Sequence, residues 1–210
     1  MPDTRSDPYQ VETALTAAGH YAEAAAVQPK ALAQARALKA RRYEAVILAH
    51  CAEVALADGR KAEALALARE GRDISNETGP GFVAPILCGL LALLEGRRED
   101  QQAALAAGEA LLAQGSVGHN HFWFRRYAIE RALWFEDWAE ADKHADTLLA
   151  RMAEEPLTYS SLVAERGHIL ARRGRGYATE DDEERQKVML ANMAAANLRM
   201  DALGDALRRL

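Results

Sequence analysis

Apolar residues recur every three or four positions in block after block of this chain, and each block ends in a short polar or glycine-bearing break. That spacing is the signature of amphipathic helices, because one apolar stripe then faces a core. With the residues that cap and stop helices, the pattern predicts one series of helices over 8–18, 41–57, 82–95, 120–135 and 158–173. A second series alternates with it, over 21–38, 60–76, 99–114, 138–152 and 179–196, followed by a short terminal helix over 201–209. Thr179 is an N-cap candidate, followed by Glu180, Asp181, Asp182 and Glu183 at the positive end of the helix dipole. Asn197 suits a left-handed stop. The stretches 75–81 and 115–120 carry turn residues, and Pro156 marks a third joint.

The blocks repeat. Ala18-Gly19-His20-Tyr21-Ala22-Glu23-Ala24 returns as Asp58-Gly59-Arg60-Lys61-Ala62-Glu63-Ala64, and more loosely around Gly96, around Glu136 and, as a weaker fifth copy, at Arg173-Gly174-Arg175-Gly176. The turn positions Gly19, Gly59, Gly96, Glu136 and Gly174 lie 40, 37, 40 and 38 residues apart. Each unit is expected to be two antiparallel helices joined by a tight turn, in one domain over residues 1–210. The units fall at approximately 8–40, 41–78, 82–115, 120–154 and 158–196. Five residues past the turn stand Ala24, Ala64 and Ala141, and seven before it stand Ala52, Gly89 and Gly167, all small enough for close helix crossings.

Composition agrees with an all-α chain. Ala occurs 45 times and Leu 26 times, whereas Val, Ile and Thr together number 20. Abundant alanine gives each helix little apolar bulk, so many helices must touch. Lys and Arg total 26 against 31 acids, without a basic stripe, which argues against nucleic acid as a partner. No apolar run is long enough for a bilayer, and the first residues lack a signal-peptide core, so a cytoplasmic chain is expected, with no membrane partner. Two cysteines, Cys51 and Cys88, sit at the same position of successive units and are expected to be packing residues.

The small-turn-small grammar resembles the tetratricopeptide repeat. The stretch Gly115–Glu130, with Asp137-Trp-Ala-Glu-Ala141 and Arg166–Gly176, is similar to the C-terminal repeat tail of bacterial regulators that join a nucleotide cyclase to an AAA-type ATPase module. The resemblance implies a right-handed α-solenoid of about five helix pairs plus a C-terminal capping helix, acting as a non-catalytic module that binds a protein, a peptide or a small effector. Cyclase and ATPase chemistry would belong to domains outside this chain, which has no phosphate-loop motif.

Candidate chemistry is sparse. His119 and His121 are a possible pair of metal ligands, but no third or fourth ligand follows at a standard spacing, and Asn120 has a plainer role as a cap before His121. No metal or other cofactor is expected, and no nucleophile, base and oxyanion set is suggested, so no catalytic residue is assigned. More than half of the 13 aromatics fall between Phe122 and Trp138. On helical spacing Trp123, Arg126, Glu130 and Trp134 face the concave groove of such an array, while Phe124, Tyr127 and Phe135 face packing. Equivalent positions add His50 and Glu53, Ile86 and Leu90, and His168 and Arg172. That groove would suit an amphipathic peptide or an apolar ligand with a polar head, and Trp123→Ala or Arg126→Ala is expected to remove binding without unfolding the chain. The groove lacks the Lys and Asn of a carboxylate clamp. Two alternatives stand beside this reading: a homodimer formed through Met189, Met193, Leu198, Leu203, Leu207 and Leu210, and a metal-dependent enzyme built on the His119/His121 loop.

Overall fold

In a computed structural model, residues 7–116, 118–154, 157–199 and 202–209 are described. Among them are eleven helices and no strand. The helices are α1 (Pro8–Ala17), α2 (Tyr21–Ala37), α3 (Arg41–Ala57), α4 (Lys61–Thr78), α5 (Ala84–Leu94), α6 (Arg98–Ala113), α7 (Gly118–Trp134), α8 (Trp138–Arg151), α9 (Thr158–Gly174), α10 (Glu180–Ala195) and α11 (Ala202–Arg209). Pro156, Asp201 and Leu210 lie outside the described residues. None of the helices is long and apolar enough to cross a membrane.

Consecutive helices pack on one another from α1 to α10, α10 resting only lightly on α9. Beyond these neighbours, α1 packs on α3, α3 on α5, α5 on α7 and α7 on α9, whereas no even-numbered helix rests on another among the described residues. Two layers follow, the odd-numbered helices forming the inner one. Burial reflects this: 12 of the 17 residues of α3 are buried, against 5 of the 18 of α4. Ala24, Ala64 and Ala141 are fully buried. The small residues upstream of the turns serve contacts within the inner layer. A Cβ on Gly89 of α5 would stand 3.1 Å from Tyr127 of α7, and one on Gly167 of α9 would stand 3.0 Å from Ile129 of α7.

Turn chemistry corrects the repeat register in two places. Gly19, Gly59 and Glu136 do take left-handed backbone, with φ of 78°, 79° and 57°. At the fifth unit it is Gly176 (φ 75°) that does so, while Gly174 is the last helical residue of α9. Gly174 is needed there for space, since a Cβ would stand 2.5 Å from the Trp138 ring. The third turn uses no left-handed residue; Glu95 leaves α5 in extended conformation (ψ 143°) instead. Thr179 caps α10 in a reciprocal capping box with Asp182, and Asn197 takes the left-handed stop at φ 56°.

The first unit and the last meet. The Arg199 N–H donates to the Ala18 carbonyl at 2.7 Å, His20 Nε2 to the Asn197 carbonyl at 2.8 Å, and the Tyr159 hydroxyl to the Ala17 carbonyl at 2.6 Å. Gly19 is the point of closest approach, because a Cβ there would lie 2.2 Å from the Arg199 carbonyl oxygen. From this junction the chain enters α11, which packs on α3 and α7.

Candidate functional site

The inner layer gathers most of the expected groove residues, but not as an open lining. Glu53 of α3 is the hub. It accepts hydrogen bonds from the Tyr21 hydroxyl at 2.5 Å, from Arg126 Nη1 at 2.8 Å and from the Tyr127 hydroxyl. These partners come from α2 and α7 and are buried, Arg126 being only 2% exposed. The Arg126 guanidinium lies over the Trp123 and Tyr127 rings, 5.1 and 5.7 Å from their centres. Burial works against the Arg126 charge, but the Glu53 carboxylate and the surrounding phenols outweigh it and raise its pKa well above the usual value. Burial, and then the charge of Glu53, pushes the Tyr21 and Tyr127 hydroxyls well up as well.

His50 is buried with Glu12 of α1, its Nδ1 donating to the carboxylate at 3.0 Å, and its ring tilts against Trp123. Leu90 is fully buried in the main apolar cluster, and Trp123 packs at its edge. Glu130 pairs with Arg166 of α9 at 2.5 Å, under α11. His168 lies apart from all of these, at the contact of α8 and α9, where Nδ1 donates to Asp142 at 2.8 Å and Nε2 is 3.2 Å from Asp146. His168 and Arg175 lower the Asp142 pKa although burial opposes it. The packing residues Phe124 and Tyr127 are fully buried as expected, whereas Phe135 is 44% exposed beneath the Arg131 guanidinium. Arg126, expected on an open groove wall, is instead buried and paired to Glu53, so on this geometry its replacement by alanine is expected to cost stability as well.

The apolar side expected to join two copies is used within the chain. Met189 and Met193 pack with Ile129 and Leu148, while Leu203 and Leu207 join the main cluster. In the His119/His121 loop, α7 already begins at Gly118, and the Asn120 amide reaches back to the Gly81 and Phe82 carbonyls at 3.1 and 3.0 Å, tying α7 to the preceding unit rather than capping it. Burial lowers the pKa of both histidines. Among the described residues, no group of three or more His, Cys, Asp or Glu side chains is placed to hold a metal ion. Burial raises both thiols, that of Cys51 to about 12, so neither is a thiolate near neutrality.

Among the accessible clefts is one of about 480 Å³ between α7, α8, α9 and α11. The left-handed Glu136 turns the chain from α7 into α8 and so sets Trp134 and Trp138 on neighbouring walls. Leu133 and Leu170 continue the apolar lining, and Gly204 and Leu207 of α11 close one side. Trp134 is 37% exposed. Polar groups at the cleft are Glu136 at the turn, the Glu130 carboxylate, held by Arg166, and the Arg173 guanidinium, which donates to Gln186 at 2.7 Å. Trp134 and Glu130 were legible as groove residues, whereas Leu170, Arg173 and the two α11 residues were not. The one available signal was Gly204, a glycine between leucines in a helical pattern, which marks a close approach. The chain matches no protein-family model, no curated protein and no solved structure.

Proposed function

We propose that this chain is a non-catalytic recognition module: a helical-repeat array of the tetratricopeptide type, wound as a right-handed α-solenoid, that binds a protein or peptide on its inner face. The observation that carries this reading is the cleft beside α11, where two tryptophans and three leucines line a space large enough for bulky side chains. Desolvation of those rings would supply affinity, and Glu130 and Arg173 would orient a polar group. Of the charged residues that line the cleft, Glu130 is engaged by Arg166 and Arg173 by Gln186, an arrangement suited to orienting a ligand. The resemblance to the repeat tails of bacterial cyclase–ATPase regulators extends the reading to a regulatory role in a signalling system.

The test uses Trp134→Ala. Because Trp134 is partly exposed, its truncation should leave thermal stability close to that of the parent chain. A partner captured by the immobilised chain and then titrated directly should bind the variant at least about tenfold more weakly. Unchanged affinity of that partner would overturn the cleft as its site.

A further inference from the structure

The helix α11 passes over its own sequence neighbour, α10, and packs on α3 and α7. Leu203 and Leu207, one helical turn apart, are 0% and 5% exposed and join the cluster that holds Leu56, Leu90 and Tyr127. Between them Gly204 rides directly over the Glu130–Arg166 ion pair. A Cβ at Gly204 would stand 2.4 Å from Arg166 Nη2 and 3.0 Å from Glu130 Oε2, so a larger residue at that point would have to push the paired guanidinium and carboxylate aside. The seat therefore reads out a pattern: two leucines four apart, with glycine after the first.

Two further observations bear on what the seat is for. An eight-residue helix does not persist alone, so α11 depends on its docking for its helical form. The fit is also incomplete, because the cleft of about 480 Å³ begins at Gly204 and Leu207 and extends to Trp134, Trp138 and Leu170. A helix with a larger apolar side chain at the position of Leu207 would reach into that space and bury more surface than α11 does.

We propose that α11 is a resident copy of the ligand: the face takes, from a partner protein, a short amphipathic helix of the pattern Leu-Gly-x-x followed by a bulky apolar residue, and α11 occupies the seat until that helix displaces it. This rests on the recognition reading above and names the partner's chemistry. Tethering gives α11 a high local concentration, so displacement depends on the better-filled cleft.

The experiment opens the seat in the full chain with Leu203→Asp and Leu207→Asp together, and checks by far-UV circular dichroism that the other helices remain. Fluorescent peptides of residues 198–210 are then titrated. The native peptide should bind the open chain about tenfold or more tightly than the parent chain, the Leu207→Phe peptide should bind it several-fold more tightly still, and Gly204→Leu should cost about tenfold or more. A folded open chain that binds none of the peptides, or does not distinguish glycine from leucine, overturns the proposal. Should the open chain not fold, the parent chain with millimolar Leu207→Phe peptide decides: faster amide exchange at 202–209 supports displacement, and unchanged exchange overturns it. A parent chain that forms a dimer by exchanging α11 also overturns it, because the occupant is then a second copy. If the open chain ignores the peptides yet holds the captured partner through Trp134, this inference fails and the recognition reading stands. If the open chain is folded and binds neither, both fail.

Discussion

Glu53 and Arg126 are each buried, so each is tolerable only because the other is present. Glu53→Ala would leave the guanidinium without its carboxylate and two phenols without their acceptor. The expected loss is about 3–5 kcal/mol, read from urea unfolding, whereas the double variant Glu53→Leu, Arg126→Met should recover much of it. His144 sets a different dependence. Its Nδ1 accepts from Arg125 Nη1 at 2.8 Å, and burial, followed by the Arg125 charge, lowers its pKa to about 4; Glu109 and Glu140 oppose the shift only in part. The unfolded chain takes up this proton near pH 6.5 and the folded chain only near 4, so stability is present at neutral pH and lost as pH falls through that window. Burial lowers His119 and His121 in the same direction. His144→Asn keeps an acceptor for Arg125 without the titration. Between about pH 7 and about pH 4.5 the variant should lose roughly 2 kcal/mol less than the parent, as measured by urea midpoints at the two values.

For the elements, the sequence was legible wherever the determinant was local. Helical periodicity placed all eleven helices to within a few residues, and Thr179, Glu136 and Asn197 were readable as a cap and two turns because each acts on its own backbone. Thr179→Ala should cost about 1 kcal/mol and show as faster amide exchange in the first turns of α10, which rests only lightly on α9. Gly174 was misread as the turn because its real constraint, the Trp138 ring, lies on another helix. The same reason explains the candidate site. Spacing put Trp123, Arg126, Glu130 and Trp134 on one helix face, but the partners that bury Arg126 are 73 and 105 residues away in sequence, and the cover over Glu130 is a tail helix. Periodicity tells which side a residue faces and not what lies across from it. His168 was grouped with the others because its register matched; its two aspartate neighbours on α8 hold it elsewhere.

In the whole molecule, contacts between helices adjacent in sequence would by themselves allow the array to unfold piecemeal, since each pair then depends only on its neighbours. The closure changes that. Backbone hydrogen bonding joins Arg199 to Ala18, Tyr159 reaches Ala17, and α11 couples α3 to α7, so the first unit and the last share contacts. The parent chain should therefore unfold in one transition. The tryptophans make this measurable, because Trp123, Trp134 and Trp138 all lie in α7 and α8, whereas far-UV circular dichroism reports every helix. In the parent chain the two probes should give coincident urea curves. Gly19→Ala attacks the closure alone: it places a side chain at φ 78° and brings a Cβ to 2.2 Å from the Arg199 carbonyl oxygen. With the junction forced apart, α1 and α2 lose the support of the tail, and the dichroism midpoint should move below the fluorescence midpoint. Coincident curves in Gly19→Ala would mean that the inner layer alone carries the cooperativity, and that the meeting of the first unit and the last contributes little to it.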